Sequence, residues 1–135
     1  MFIHQQNINP FDFFNILGKI LYAHKFHFPE NIMPKPSHHI FICTNQRPAG
    51  HPRGSCGENN AQALMEQMGM AIEKKGLFGQ VLITNTSCMG PCSMGPVMVV
   101  YPDGVWYNKV TPEDVDEILD QHIGQDKKVE RLEMP

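Results

Sequence analysis

The sequence predicts an α/β fold in which a four-stranded mixed sheet carries two packed helices. Three observations predict it: a strand–helix–strand order, a tight turn that joins two further apolar runs, and an amphipathic helix after them. A strand–helix–strand unit implies a right-handed parallel crossover, and a hairpin extends such a sheet with antiparallel strands. The 135 residues are the usual size of a single domain with one core.

The first strand and the first helix are predicted on either side of a long loop. Residues 38–43 hold a short apolar run that is typical of a buried strand, and residues 45–57 are too rich in Gly and Pro for regular structure. Ser55 and Glu58 have the spacing of a capping box, which predicts a helix from there to Lys74. Its apolar positions are Ala61, Leu64, Met65, Met68, Ala71 and Ile72.

Two β-branched or apolar runs, residues 80–84 and 97–101, predict the second and third strands. The Pro-Asp-Gly sequence at 102–104 predicts a tight turn, so residues 105–110 return as an antiparallel partner. The order of these elements completes the four strands.

The second helix has clear start and stop signals. Thr111 is a predicted N-cap, Pro112 occupies the first helical position and Asp114 the third. Gly124 ends the helix. The charged residues 125–135 show no period and are predicted to be frayed. The apolar positions of this helix are Val115, Ile118, Leu119 and Ile123.

A change in composition near residue 34 predicts three segments: an extension over 1–33, the folded domain over 34–124, and a charged tail over 125–135. Six of the eight Phe fall in the first 28 residues. A helical apolar repeat over 12–24 favours one amphipathic helix, and the alternative is a disordered segment. A further interpretation takes Met33 as the natural start and residues 1–32 as an accidental upstream extension.

Composition excludes several classes of function. A net charge of -3 is the wrong sign for neutralising phosphates, so nucleic-acid binding is disfavoured. No stretch reaches the ~20 apolar residues of a membrane span, and residues 11–22 make a poor secretory signal. We therefore expect a soluble, cytoplasmic protein, in which four cysteines favour a metal or redox centre over structural disulfides.

The four cysteines, Cys43, Cys56, Cys88 and Cys92, are all predicted at strand ends, a helix start or Gly/Pro loops, so they can converge at one end of the sheet. Four thiolates at one point leave zinc, an iron–sulfur cluster or two disulfides as alternatives. The twelve residues between the first two cysteines weaken zinc, because structural zinc sites favour two short knuckles.

The residues around the cysteines favour a [2Fe-2S] cluster. The spacing matches neither common ferredoxin run, a Rieske centre would need a second histidine besides His51, and the Cys-x2-Cys of a redox dithiol is absent. Gly and Pro loops let backbone N–H groups approach an anionic cluster, and Met89 and Met94 can exclude water.

Other side chains near the cysteines have two interpretations each. Arg47 and Arg53 either stabilise a reduced cluster or keep the loop soluble. Ser55 and Ser93 flank candidate ligands and are predicted to donate hydrogen bonds to sulfur, although Ser55 also suits a helix cap. His38 and His39 point to opposite faces of a strand, so we expect packing or surface roles for them.

Four motifs in order resemble the thioredoxin-like [2Fe-2S] ferredoxins: FICTNQ at 41–46, HPRGSCG at 51–57, CMGPCSMGP at 88–96 and YPDGVWY at 101–107. The resemblance covers residues 34–124. It implies a thioredoxin-like fold, one [2Fe-2S] cluster held by Cys43, Cys56, Cys88 and Cys92, and a homodimer. It also implies one-electron transfer with redox partner proteins and no catalysis of its own.

Two other assignments compete with a free-standing carrier. The domain also resembles the small thioredoxin-like subunit of NADH:quinone oxidoreductase and of related hydrogenases, but the 42 residues before Cys43 are too few for the helical domain of that subunit. The third is a zinc-stabilised interaction module. A nucleophilic cysteine enzyme is disfavoured, since all four thiols are committed to one centre.

The second helix carries a concentration of acidic residues, and we expect it to steer a basic redox partner. Between residues 111 and 126 no Lys or Arg occurs, and the acids are Glu113, Asp114, Asp116, Glu117, Asp120 and Asp126. A solvated helix face is the alternative.

Overall fold

The structure, a computed structural model, describes residues 35–135. The extension over 1–33 and its predicted helix over 12–24 lie outside the described residues. The element order is β1 (His38–Cys43), α1 (Ala61–Lys74), β2 (Val81–Thr86), β3 (Met98–Tyr101), β4 (Val105–Tyr107) and a helical segment, α2, over 112–123. These elements form the predicted four-stranded mixed sheet with two helices.

The strands lie in the order β2-β1-β3-β4. β1 and β2 are parallel, with Cys43 opposite Thr86 at their ends, as the crossover predicts. The other two pairs are antiparallel, so the predicted hairpin of β3 and β4 is confirmed. The carboxyl ends of β1 and β2 therefore lie side by side at one end of the sheet, where the loops that carry the cysteines begin.

β4 ends at Tyr107, earlier than the predicted end at residue 110. Beyond Tyr107 the backbone no longer pairs with β3. Instead, the N–H of Lys109 donates to the carbonyl of Met94, and the N–H of Val110 donates to the carbonyl of Pro96. Lys109 itself has a φ of 49°, which lies in the left-handed region and ends an extended strand.

One face of the sheet packs on the helices. Ile40 and Ile42 of β1 are fully buried with Leu64 and Met68 of α1 and Ile118 of α2 in a single core. The alternation of strand side chains puts the intervening residues on the other face. This open face is defined by His39, Phe41, Leu82 and Tyr101, of which Leu82 is 46% and Tyr101 45% exposed.

α1 begins at Ala61, later than the capping box at Ser55 predicts. The Ser55 hydroxyl does donate to Glu58 at 3.2 Å, but its oxygen accepts the backbone N–H of Arg47, so these side chains organise the preceding loop. Residues 56–60 form turns instead, and Asn60 has a left-handed φ of 67°. The predicted start is wrong because the pair at capping-box spacing is used by the loop.

α2 starts as predicted. The backbone N–H of Thr111 donates to Oδ2 of Asp114, the residue at the third helical position, at 2.8 Å, and Pro112 opens the first turn. The segment opens as a 3₁₀ turn, continues as one α turn and widens into a π turn over Ile118–Ile123. Within residues 35–135 no helix is long and apolar enough to cross a bilayer.

The tail over 125–135 is packed, so the prediction that it frays is wrong. Val129 and Leu132 are buried in the core, and Glu133 pairs with Tyr107 of β4. The N–H of Met134 also donates to the carbonyl of Trp106 at 2.8 Å. Val129 and Leu132 are spaced one helical turn apart within a charged segment, and two apolar residues are too few to show a period.

Candidate metal centre

The four cysteines lie in segments that meet at the carboxyl ends of β1 and β2. Cys43 is the last residue of β1, and Cys56 precedes α1 by a short turn. Cys88 follows β2, and Cys92 opens a 3₁₀ turn over Cys92–Met94. Because β1 and β2 are parallel neighbours, these segments converge, and the four side chains line one small cavity. The structure thus brings all four candidate ligands together.

The sulfur atoms are arranged as two pairs. Sγ of Cys88 lies 3.2 Å from Sγ of Cys92, and Cys56 forms a side-chain hydrogen bond with Cys43. All four are free thiols. Cys43, Cys56 and Cys92 are buried, whereas Cys88 is half-buried. The cavity is therefore closed around Cys43 and Cys56 and approaches solvent at Cys88.

The two pairs differ in their electrostatics. Burial and, after it, the hydrogen bond with Cys43 raise the pKa of the Cys56 thiol to about 11. Hydrogen bonds from Cys92 and then from Arg47 lower the pKa of Cys88 to about 7. The thiolate form is thus favoured at Cys88 and disfavoured at Cys56 while no metal is bound.

Arg47 supplies the charge beside the second pair. Its guanidinium donates one N–H to Sγ of Cys92 at 3.0 Å and another to Sγ of Cys88 at 3.2 Å. The first nitrogen also donates to the carbonyl of Gly54 at 2.8 Å. Of the two interpretations of Arg47, the contact with sulfur is therefore the one that the structure favours.

The other polar candidates lie away from the sulfurs. Arg53 is exposed and donates to the carbonyl of Gly90 at 3.1 Å. The Ser55 hydroxyl donates to Glu58, so the prediction that it donates to sulfur is wrong. Ser93 is exposed, and within residues 35–135 its hydroxyl makes no hydrogen bond to a cysteine.

The histidines do not join the cysteine cavity. His51 is exposed, and its Nδ1 accepts the backbone N–H of Arg53 at 3.2 Å. His39 lies on the open face, where Nε2 is 2.8 Å from the Thr84 hydroxyl and the ring stacks on Phe41. These contacts agree with the packing and surface roles predicted for the strand histidines.

Backbone approaches the sulfurs closely at Gly95. A Cβ at this position would lie 2.7 Å from Sγ of Cys56 and 3.3 Å from its Cα. The φ of Gly95 is −71°, which any residue adopts. Glycine is required here by the lack of space beside Cys56, as the Gly/Pro-rich sequence predicts for these loops.

The apolar cover of the site comes partly from residues that sequence reasoning missed. Cys43 and Cys56 pack with buried Ala61 and Val97, and the half-buried side chains around them are Met89, Trp106 and Met134. Met89 is in the predicted place, whereas Met94 is not part of this cluster. Trp106 alternates with two buried strand residues, and Met134 belongs to the tail that was predicted to fray. The alternation is a signal for Trp106, whereas the sequence of the tail carries no such signal for Met134.

The donor set fits an iron–sulfur cluster. Four thiols are soft ligands that suit zinc or iron–sulfur clusters, and a cluster held by four cysteines is anionic. N–H groups aimed at two sulfurs and a cation beside them stabilise that negative charge. Close backbone and an apolar wall complete a site of low polarity.

Comparison with known proteins gives the same cofactor. Residues 20–122, which include all four cysteines, match the family described as thioredoxin-like [2Fe-2S] ferredoxin. A 2Fe-2S ferredoxin of Aquifex aeolicus is 50% identical over 70% of this chain and 86% of its own length. A 2Fe-2S ferredoxin of Clostridium pasteurianum is 42% identical over 76% of this chain and its whole length.

The fold is also that of a solved relative. The structure of a thioredoxin-like [2Fe-2S] ferredoxin from Aquifex aeolicus superposes with a TM-score of 0.72 at 46% identity, covering 74% of this chain and 92% of the other. The family match begins at residue 20, ahead of residue 34 where the sequence resemblance begins. The chain belongs to the thioredoxin-like [2Fe-2S] ferredoxins and is an electron carrier with a [2Fe-2S] cluster.

Proposed function

We propose that Cys43, Cys56, Cys88 and Cys92 are the four ligands of one [2Fe-2S] cluster, and that the chain moves single electrons between partner proteins without substrate chemistry of its own. The observation that carries this assignment is the meeting of all four sulfurs at one cavity, in two pairs. Two sulfurs for each of two irons is the ligand count that such a cluster needs. When bound, the cluster supplies a one-electron redox centre.

The two sides of the proposed cluster site differ in their access to solvent. Cys43 and Cys56 sit behind Val97 and Trp106, which keep water from that side. Cys88 is half-buried and lies shortly after the end of β2. Electrons are therefore proposed to enter and leave the cluster at Cys88. The loop over 88–92 is accordingly the proposed docking area for redox partners.

The acidic helix supports steering less than its sequence indicates. Lys75 pairs with Asp116 at 3.3 Å and with Asp120 at 2.7 Å, and Arg131 pairs with Asp114 and Glu117. Four of the six acids thus lie in ion pairs with cations from outside the helix. Lysine substitutions at these acids would break packing contacts as well as change charge, so the loop over 88–92 is the sharper place to test docking.

A zinc-stabilised module is the alternative of another class. The matching family and the relatives carry a [2Fe-2S] cluster, which favours a two-iron centre over one tetrahedral zinc. The test is elemental analysis of protein purified without oxygen. We expect about two irons and two sulfides per chain, with a red-brown colour. One zinc without sulfide, in colourless protein, would overturn the proposal.

Each ligand is tested separately by substitution with Ala. Cys43→Ala, Cys56→Ala, Cys88→Ala and Cys92→Ala should each lose most of the iron and sulfide, since the sequence holds no fifth cysteine. The matched control is Ser93→Ala, an exposed position between two candidate ligands. A cysteine variant with a normal visible spectrum would show that this cysteine is not a ligand.

We further propose that the protein is a homodimer that pairs through the open face of the sheet. Leu82 and Tyr101 leave apolar surface exposed there, and β2 lies at the sheet edge with its outer backbone groups unpaired by other strands of the described residues. Light scattering should give twice the chain mass for the full protein and the chain mass for Leu82→Lys. Glu66→Lys, on an exposed position of α1, should leave the dimer intact.

The working unit is proposed to be the domain over 34–124 with its packed tail, acting in the cytoplasm. The use of all four cysteines as cluster ligands in this proposal agrees with a reducing compartment, where structural disulfides are rare. A chain that starts at Met33 should bind the cluster and melt within a few degrees of the full chain, as expected for a loss under ~1 kcal/mol. A large loss of stability or solubility would show instead that residues 1–32 contribute to the fold.

A further inference from the structure

We propose that Arg47 raises the reduction potential of this protein by donating two N–H groups and a fixed positive charge to the sulfurs of Cys88 and Cys92. The inference rests on the proposed ligand set. It assigns a specific role to one of the two arginines in the loop between Cys43 and Cys56.

The contact of Arg47 is a two-pronged one. Its two terminal nitrogens lie 3.0 Å from Sγ of Cys92 and 3.2 Å from Sγ of Cys88, so one planar guanidinium spans one sulfur pair. The N–H groups of arginine are fixed in a fork, which suits such paired acceptors better than the single ammonium of lysine. The contact is therefore specific to arginine and not to positive charge alone.

The loop holds Arg47 in place at both ends. Its backbone N–H donates to the hydroxyl of Ser55 at 3.2 Å, and the guanidinium donates to the carbonyl of Gly54 at 2.8 Å. Ser55 is fully buried and is itself bonded to Glu58. This is the reason the capping-box pair does not cap α1: it positions the arginine.

The physical effect has a definite sign. Reduction adds one negative charge to an already anionic centre, and a neighbouring cation stabilises the more negative state more strongly. N–H donors to cysteine sulfur act in the same direction. Arginine stays protonated at all relevant pH values, so the stabilisation is permanent. Removing Arg47 must therefore make the protein harder to reduce.

Arg53 provides a matched control within the same loop. It carries the same charge, but it is exposed and its guanidinium donates to the Gly90 carbonyl instead of a sulfur. Replacing either arginine by Gln changes the net charge equally. A difference between the two variants measures the sulfur contact and excludes a general effect of charge.

The experiment compares Arg47→Gln, Arg47→Lys and Arg53→Gln in the full, cluster-loaded chain. Iron and sulfide are counted first, and the midpoint potential is then measured by a redox titration of the visible spectrum. We expect Arg47→Gln to lower the equilibrium constant for reduction about tenfold, which is 59 mV for a one-electron couple. Arg47→Lys should fall between Arg47→Gln and the unsubstituted protein.

The expected result for Arg53→Gln is a smaller shift that disappears in salt. The Debye length falls from about 10 Å at 0.1 M salt to about 3 Å at 1 M, so an exposed charge is screened, whereas the partly buried Arg47 contact persists. Equal shifts for Arg47→Gln and Arg53→Gln, or no shift for Arg47→Gln, would overturn the proposal.

Cluster loading separates this proposal from the one on which it rests. If the unsubstituted protein holds no iron or sulfide, the ligand assignment fails. If only Arg47→Gln fails to load, the potential of Arg47→Lys decides, and a value equal to that of the unsubstituted protein refutes the role of the arginine fork.

Discussion

The hydroxyl of Tyr107 lies 2.8 Å from Nδ1 of the buried His122, and it also accepts the backbone N–H of Val129 at 3.1 Å. On the other side of the ring, Nε2 of His122 lies 2.9 Å from Asp103 Oδ2, so both ring nitrogens have a polar partner. One side chain of β4 thus fastens both α2 and the C-terminal tail. A buried polar chain of this kind stabilises only while every member keeps its partner.

Tyr107→Phe should destabilise the protein by about 1–3 kcal/mol, because the N–H of Val129 and Nδ1 of His122 would both lose their partner. Thermal or urea unfolding measures the loss. The control is Tyr101→Phe, the same chemical change at a 45% exposed position, which should stay within ~0.5 kcal/mol. Equal effects of the two substitutions would contradict the conclusion that the buried hydroxyl of Tyr107 holds α2 and the tail in place.

Asp114 should make the stability of the folded protein depend on pH, with a loss of stability in acid. Burial works to raise its pKa, but the backbone N–H of Thr111 and the Arg131 guanidinium outweigh burial and hold the pKa below its usual value. A lowered pKa stabilises the folded state above the usual carboxyl value of about 3.9, and this contribution is lost as the pH falls through the lowered pKa.

The variant Asp114→Asn should accordingly be less stable than the unsubstituted protein at neutral pH, and the difference should shrink in acid. Urea midpoints over a series of pH values measure it. Asp126→Asn, an exposed residue with a left-handed φ that asparagine also adopts, is the control and should show no such dependence. A stability difference for Asp114→Asn that is constant with pH would contradict the ion pair with Arg131.

The metal-free protein should show unequal reactivity of its thiols. With a pKa of about 7, Cys88 is mostly thiolate at a pH between 7 and 11, while Cys56, at about 11, stays mostly protonated. Iodoacetamide should then label Cys88 first, as read from peptide masses, and Arg47→Gln should slow that labelling. Faster labelling of Cys56 would show that the pair beside Arg47 is not the more acidic one.

Gly95→Ala should disrupt the cysteine site, since its Cβ would lie 2.7 Å from the sulfur of Cys56 and close to its backbone. We expect lost or short-lived cluster, measured by the visible absorbance over time. The control is Gly69→Ala in α1, where the new Cβ meets Ile83 at an ordinary 3.6 Å and helix propensity favours Ala by up to ~1 kcal/mol. A stable cluster in Gly95→Ala would refute the packing requirement.

The sequence was sufficient for features with a strong local pattern. β1, the hairpin of β3 and β4 and the start of α2 at Thr111 follow from apolar runs, turn residues and capping residues. The meeting of the four cysteines follows from their places at element ends. Ser55 was misjudged because a capping-box pair looks the same whether its hydroxyl caps a helix or holds a loop residue such as Arg47.

Features that depend on long-range contacts could not be predicted in this way. His122 lies at helical spacing from Ile118 and Leu119, but its burial requires partners on two other segments, Asp103 and Tyr107. Met134 and Trp106 meet beside the cysteines only because the tail folds back along β4. From sequence alone, a polar side chain such as His122 is expected at the surface. In the fold it can be buried when other segments supply its hydrogen-bond partners.

The packing of Met134 against the cysteine cluster links cofactor retention to local opening of the chain. Part of the wall that keeps water from Cys43 and Cys56 is fastened by hydrogen bonds to Trp106 and Tyr107 and not by a regular helix or strand. Such a segment opens with a smaller free energy than the whole domain unfolds. The lifetime of bound iron in water should therefore track amide hydrogen exchange in residues 129–134, and it should do so while the sheet remains fully protected.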